Sequence, residues 1–206
     1  MSSTLPQPPR HPRDFLVFAL DVPTLAEAEA LVRLVGNHVG TIKIGLELFL
    51  REGRPIIDLV RQNCDARIFL DLKLHDIPAT VNRAMKNIAA MNVDWVTVHC
   101  AGQKEMLKAA VDGAEDKVSV LGVTVLTSMS ADDLKADGFA KEITDDLSRL
   151  VLQRAATAKD SGCKGIICSP LEAGRIKKEL GKDFLTVTPG IRLSDNTVAG
   201  DDQRRA

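Results

Sequence analysis

Seven short apolar runs, separated by longer amphipathic stretches, limit this chain to a small set of folds. Short apolar runs bounded by turn residues are typical of strands buried on both faces, and the stretches between them have helical periodicity. A regular alternation of strand and helix predicts a parallel sheet covered by helices. The predicted strands occupy residues 15–20, 41–45, 67–72, 95–100, 118–126, 164–169 and 184–190.

Two of the intervening stretches carry clear helix-end signals. Residues 24–36 open with Thr24 as a predicted N-cap and Glu27 three positions later, which is the pattern of a capping box, and close on Gly36. Residues 144–162 have apolar positions at helical spacing and end on Gly162. We therefore expect helices over both stretches.

Polar residues recur at the C-terminal ends of successive predicted strands, and this favours a TIM-type (β/α)8 barrel. A barrel gathers these ends around one mouth, whereas an open doubly wound sheet would spread them along an edge. The open dinucleotide-binding sheet also loses support because no GxGxxG motif follows the first strand. The strand-end residues are Asp21, Lys43, Asp71, Lys73, His99, Thr127 and Arg192.

The strand count is one short of a complete barrel. Seven strands are predicted, and barrels usually run to roughly 250 residues. We expect the given chain to lack the last βα unit and a longer parent protein to continue into another strand. Residues 1–13 begin with a segment rich in Pro and Ser, which predicts a flexible arm, and residues 14–206 form the predicted barrel domain.

Composition argues against several classes of partner. With 27 basic and 28 acidic residues and 3% aromatics, the chain shows no sign of a nucleic-acid or anionic-membrane surface. No apolar run has the length of a transmembrane helix, and the N-terminus lacks a signal-peptide core. The four cysteines have no CxxC spacing, so we expect reduced, mostly buried thiols in a cytoplasmic protein.

The third predicted strand carries charge where a core residue is expected. Asp71 and Lys73 share a face, Lys43 lies on the neighbouring strand, and Asp76 follows in the loop. We expect a row of alternating charges, Lys43-Asp71-Lys73-Asp76, at the barrel mouth. Two interpretations remain open here. The row is either a structural ion-pair cluster or a preorganised site whose lysine protonates a developing carbanion.

The segment "DLKLHDIPATV" resembles the DxKxxDIP signature of the orotidine 5'-phosphate decarboxylase family. The segments "KIGLELF", "VTVHCAG", "GVTVLTSM" and "VTPGIR" resemble that family's strand-end motifs and occur in its order. The resemblance covers roughly residues 14–205. It implies a barrel enzyme that decarboxylates orotidine 5'-phosphate to uridine 5'-phosphate, the last step of pyrimidine nucleotide synthesis.

The resemblance also implies a role for each charged residue of the row. Lys73 is expected to protonate C6 of the pyrimidine as carbon dioxide leaves. Asp71 is expected to face the departing carboxylate, and Lys43 and Asp76 complete the row. No metal or organic cofactor is implied, and the scattered histidines give no independent sign of a metal site.

Further residues are assigned to substrate binding by the same resemblance. Asp21 and Lys43 are expected to hold ribose hydroxyls, and Thr127 or Ser130 to lie beside the pyrimidine. Asp76 and Thr80 are expected to cross into the partner's site, which makes the working unit a homodimer. Two residues are expected on the phosphate side, Arg192 and Gln203.

Two alternatives to the decarboxylase stay open at this point. The DxKxxD core also permits a metal-dependent phosphosugar lyase or aldolase of the same superfamily. The missing eighth unit also permits a barrel that binds a phosphorylated ligand or a partner chain without catalysis.

Overall fold

A computed structural model of the protein describes residues 11–191 and contains one parallel sheet of seven strands in the order β1-β2-β3-β4-β5-β6-β7. Each strand pairs with the one that precedes it in the chain, as in an α/β barrel. Within the described residues, β1 and β7 are the two edges. The strands are β1 Val17–Ala19, β2 Thr41–Gly45, β3 Arg67–Leu74, β4 Trp95–His99, β5 Ser119–Val123, β6 Gly165–Ile167 and β7 Leu185–Val187.

Helices connect consecutive strands and cover the outside of the sheet. All seven predicted strands are confirmed, and so are the two helices predicted from end signals. The helices are α1 Leu25–Val35, α2 Leu46–Glu52, α3 Arg54–Asn63, α4 Pro78–Ala89, α5 Gln103–Ala114, α6 Ala131–Ala136, α7 Lys141–Thr144, α8 Leu147–Asp160 and α9 Pro170–Leu180.

Helix α1 begins as its sequence predicts, with one difference in the cap. The Thr24 hydroxyl accepts a hydrogen bond from the Glu27 N–H at 3.2 Å, which satisfies an amide that has no partner inside the helix. The Glu27 carboxylate does not reach back to the Thr24 backbone. It accepts a hydrogen bond from the Thr24 hydroxyl at 3.0 Å instead. Gly36 is the C-cap, as predicted.

The sheet curls so that its two edge strands share one interior. Phe69, Trp95 and Leu121 form a buried cluster that also includes Val17 of β1 and Leu185 of β7. These side chains belong to the inward face of strands in register with one another. An apolar plug of this kind fills the interior of a barrel below its mouth.

The larger core lies between the outer face of the sheet and the helices. Its strand members are β-branched and aliphatic side chains with no measurable exposure, such as Ile42, Ile68 and Val96. All four cysteines are free, and three of them are buried, in line with the expectation of mostly buried thiols. The three buried ones are Cys100, Cys163 and Cys168, and burial raises the pKa of Cys100 and Cys163 to about 12.

The first described residues pack onto the barrel. Pro12–Phe15 form a 3-10 turn, and Arg13 pairs with Asp65 at 2.9 Å while donating to the Asn37 carbonyl. The last three residues of the predicted arm, 11–13, are thus ordered against the domain. Residues 1–10 lie outside the described part of the chain. Among residues 11–191, no helix is long and apolar enough to cross a bilayer.

We expect Gly113→Ala to destabilise the protein because α4 and α5 touch at this glycine. An added Cβ would lie 2.4 Å from the Asn82 carbonyl oxygen and 2.9 Å from Met85 Cβ. Moving packed backbone apart costs about 1–3 kcal/mol. Urea denaturation measures the change in the free energy of unfolding.

Gly174→Ala in α9 is the matched control. Nothing lies within 4 Å of a Cβ at this position, so the substitution should stabilise the protein by up to about 1 kcal/mol through helix propensity. An equal gain at Gly113 and Gly174 would show that the α4–α5 contact is not tight.

Candidate active site

Strands β1 and β2 bring an aspartate and a lysine together at the C-terminal end of the sheet. Lys43 Nζ lies 3.0 Å from Asp21 Oδ1 and 3.4 Å from Oδ2, so it donates to both carboxylate oxygens. Gly45 leaves room for this pair, since an added Cβ would approach Asp21 Oδ1 to 3.0 Å and Lys43 Nζ to 3.6 Å. The Lys43 side chain is one-fifth exposed and that of Asp21 is 63% exposed, so solvent screens the pair mainly from the carboxylate side.

Strand β3 departs from regular geometry at its charged residues. Leu70 pairs with Val96 and Leu74 pairs with Val98, so three residues of β3 lie opposite one residue of β4. Within this bulge Lys73 has a φ of +49°, in the left-handed region that a lysine rarely adopts. Strain of this kind is concentrated at functional sites, where surrounding contacts hold it in place.

The bulge holds Asp71 and Lys73 against one another. Lys73 Nζ donates to Asp71 Oδ2 at 2.8 Å, and Thr97 of β4 donates to the other carboxylate oxygen at 2.9 Å. The Thr97 hydroxyl in turn accepts the Lys73 backbone N–H at 2.9 Å. The Asp71 side chain is 15% exposed, so these two donors replace much of the water it loses.

Thr97 is a site residue that the sequence reasoning missed. It is fully buried, and it lies between Trp95 and His99 on the inward face of β4. Its place in the period-2 pattern of "WVTVHC" was the available signal, because a polar residue between two inward positions must also point inward.

One cavity of about 210 Å³ opens between the ends of β1, β2 and β3. The structure therefore brings together four of the predicted site residues, namely Asp21, Lys43, Asp71 and Lys73. The two lysines form ion pairs with different carboxylates, Lys43 with Asp21 and Lys73 with Asp71. The cavity is lined by Asp21, Val22, Lys43, Gly45, Leu46, Glu47, Leu48, Asp71 and Lys73.

The predicted fourth member of the charged row lies apart from this cavity in the single chain. Asp76 is exposed and is not among the lining residues, and its Oδ1 accepts the Ile77 N–H at 2.6 Å. Thr80, in the first turn of α4, is half-buried and accepts a long hydrogen bond from Arg83 at 3.5 Å. The predicted row of four charges is therefore not formed within the single chain.

Of the four remaining residues predicted to contact the substrate, two lie within the described part of the chain. Thr127 is buried after β5, at 8% exposure. Ser130 is the N-cap of α6, where its hydroxyl donates to Asp133 Oδ2 at 2.7 Å and accepts the Asp133 N–H at 3.2 Å. Its hydroxyl is thus already engaged in a capping box. Arg192 and Gln203 lie outside the described residues.

Two histidines and an arginine border the Lys73 side of the site. The ring of His99 at the end of β4 lies 5.5 Å from that of His75. Arg154 of α8 donates to the Thr124 carbonyl at 2.7 Å. Burial lowers the pKa of His99, and the charges of His75, Lys73 and Arg154 lower it further against the opposing effect of Asp71. Neutral His99 is therefore favoured.

This arrangement suits proton delivery to a carbon that becomes negatively charged. A lysine ammonium fixed by a carboxylate and held in a partly enclosed cavity stabilises developing negative charge without reorganisation. Among residues 11–191, no three His, Cys, Asp or Glu side chains converge in a way that could hold a metal ion. The fold and site define a parallel α/β-barrel protein with a lysine–carboxylate cavity at its C-terminal face.

The chain belongs to the orotidine 5'-phosphate decarboxylase / HUMPS family, whose sequence model matches residues 14–206. A relative named orotidine 5'-phosphate decarboxylase from Desulfosudis oleivorans is 58% identical over 197 residues, covering 95% of this chain and 79% of the relative. A protein of the same name from Listeria monocytogenes is 40% identical over 195 residues, covering 92% of this chain and 81% of its own. The family resemblance found in the sequence is thereby confirmed.

Solved structures agree with this family assignment. The crystal structure of orotidine 5'-phosphate decarboxylase from Lactobacillus acidophilus has a TM-score of 0.76 and 38% identity, over 86% of this chain and 81% of that one. A decarboxylase structure from Pyrococcus horikoshii, at 22% identity and a TM-score of 0.70, shares the fold. The predicted TIM-type barrel is confirmed.

We expect His99 to make the protein less stable in mild acid. Its pKa is lowered in the folded state, so between that value and about 6.5 the unfolded chain binds more protons. The stability that neutral His99 provides is complete above about pH 6.5 and is lost as the pH falls through the lowered pKa. Urea denaturation of wild type and His99→Gln between about pH 7.5 and pH 5 should show a smaller acid loss in the variant. Equal losses would contradict the prediction.

Proposed function

We propose that this protein catalyses the decarboxylation of orotidine 5'-phosphate to uridine 5'-phosphate in pyrimidine nucleotide synthesis, with Lys73 as the proton donor. The observation that carries the proposal is the Lys73–Asp71 pair of 2.8 Å beside the cavity, in a chain 58% identical to a named decarboxylase. The ionic site and the family point to the same chemistry.

Loss of carbon dioxide from the pyrimidine leaves an electron pair at C6, and Lys73 acts at that atom. Its ammonium group stabilises the developing carbanion and then transfers a proton to it. Asp71 orients the ammonium through Oδ2 and faces the departing carboxylate. Because the fold itself pairs Asp71 with Lys73, little reorganisation is needed when the charge develops.

The other side chains of the mouth hold the substrate in register with Lys73. Asp21 and Lys43 bind ribose hydroxyls, and their mutual ion pair places both at the cavity wall. Thr127 or Ser130 contacts the pyrimidine. Arg192 and Gln203 contact the phosphate. Binding energy from the phosphate supports the chemical step by fixing the reacting carbon near Lys73.

The working unit is a homodimer in which Asp76 and Thr80 complete the partner's site. Support comes from exposed apolar side chains on the segments that follow β2 and β3. Leu46 and Leu50 of α2 and Ile77 before α4 are 49%, 75% and 66% exposed. Large apolar side chains left exposed on segments next to a site are typical of an interface. The four free thiols support a cytoplasmic location.

The purified protein should consume orotidine 5'-phosphate, followed as loss of the orotate absorbance, and the rate should be unchanged by a chelator. Lys73→Ala should lose nearly all turnover while still binding the product nucleotide, because the binding groups remain. Asp71→Asn should also be severely slowed.

Three outcomes would count against this proposal. Near-normal turnover of Lys73→Ala would remove the lysine from its role. A requirement for magnesium with no action on orotidine 5'-phosphate would favour a phosphosugar lyase or aldolase. Binding of phosphorylated ligands without any turnover would favour a non-catalytic barrel.

Mixing two inactive variants tests the shared site. Lys73→Ala and Asp76→Asn homodimers should both be slow, but a hybrid dimer contains one site with both residues intact. Random pairing should therefore restore about one quarter of wild-type activity. The matched control mixes Lys73→Ala with Asp71→Asn, whose hybrids hold no intact site. Equal recovery in the two mixtures, or none in either, would refute the crossing of Asp76.

A further inference from the structure

We propose that Thr97 is a positioning residue for the decarboxylation, holding Asp71 and Lys73 in their reactive arrangement without contacting the substrate. The inference rests on the proposed function and extends it to a residue of the neighbouring strand. It is carried by the two hydrogen bonds of the Thr97 hydroxyl and by the bulge that lies opposite it.

The bulge in β3 leaves the Lys73 N–H with the Thr97 hydroxyl as its hydrogen-bond acceptor. Between the pairs Leu70–Val96 and Leu74–Val98, three residues of β3 face Thr97 alone. The Arg67 N–H donates to the Gly40 carbonyl on the β2 side, and regular alternation along β3 would turn the Lys73 N–H to that side as well, where the pairing ends at Asp71. At the bulge the acceptor is instead Thr97 Oγ1, at 2.9 Å. This bond anchors Lys73 in its left-handed conformation, at φ +49°.

The same hydroxyl fixes the carboxylate that holds the lysine. Its proton goes to Asp71 Oδ1 at 2.9 Å, which leaves Oδ2 directed at Lys73 Nζ at 2.8 Å. A hydroxyl has one proton to donate, and Thr97 donates it to Asp71. A lone pair of the same oxygen accepts the Lys73 N–H, so the hydroxyl has no further donor to offer. One buried oxygen thus links the backbone of Lys73 to the partner of its ammonium group.

Thr97 is placed to act only through these neighbours. It has no exposed surface and is not among the residues that line the cavity. Removing its hydroxyl should leave the substrate-binding groups Asp21 and Lys43 intact. The expected signature is therefore a loss in kcat with little change in KM, as for an interaction that matters in the transition state.

The experiment compares Thr97→Val, which removes the hydroxyl at nearly constant shape, with Thr97→Ser, which keeps it. We expect Thr97→Val to lower kcat on orotidine 5'-phosphate roughly ten- to hundred-fold, equivalent to about 1.4–2.7 kcal/mol. KM and the affinity for uridine 5'-phosphate should stay within about three-fold. Thr97→Ser should recover most of the lost kcat.

Thr124→Val is the matched control for simple loss of a buried hydrogen bond. Thr124 is equally buried, on the chain just after β5, and its hydroxyl donates to the Ile167 carbonyl at 2.9 Å. This variant should lose stability in urea comparably to Thr97→Val but keep a near wild-type kcat. If Thr97→Val does not fold, Thr97→Ala replaces it with the same expectation.

The outcomes separate this proposal from the proposed function. Wild type that does not consume orotidine 5'-phosphate overturns both. Active wild type with a hydroxyl-free variant of unchanged kcat overturns the positioning role alone. So does a Thr97→Ser enzyme as slow as Thr97→Val, a change confined to KM, or an equal loss of kcat in Thr124→Val.

Discussion

The ion pair between Lys73 and Asp71 is the contact on which the rest of the site depends. It joins two side chains of one strand, which ordinary strand geometry would leave side by side and free to turn toward water. The bulge in β3 draws them together and shields Asp71, at the expense of a left-handed lysine. A stable barrel is needed to hold such a segment in place, since strained backbone persists only where its surroundings determine it.

Much of the fold could be predicted from the sequence because its signals are local and repeated. Seven apolar runs became seven strands, and β2 starts and ends where the "TIKIG" run does. The bulge was not predictable from the pattern of "FLDLKL", because pairing register depends on the neighbouring strand. Its effects, the contact of Thr97 with Asp71 and the turn of Lys73, were missed with it.

The site was predicted in part, for reasons that differ from residue to residue. Strand-end position placed Asp21, Lys43, Asp71 and Lys73 at one mouth, and one cavity contains them. The predicted continuous row of four charges is instead divided into two separate ion pairs, and Asp76 lies apart from them. Lys43 pairs with Asp21, a choice set by the close approach of β1 and β2 that single-strand spacing does not encode. Asp76 belongs to the loop after β3, and the position of a loop side chain is not encoded in the periodicity of the strand before it.

The apolar plug inside the barrel has a consequence for the electric field of the site. Phe69 and Trp95 lie two residues before Asp71 and Thr97 on the same strand faces, so a layer of buried apolar rings underlies the charges. Water can approach the lysines from the mouth but not from below. Counter-ions and solvent dipoles therefore screen the site less from the side of the rings than from the mouth, from which a charged small molecule arrives.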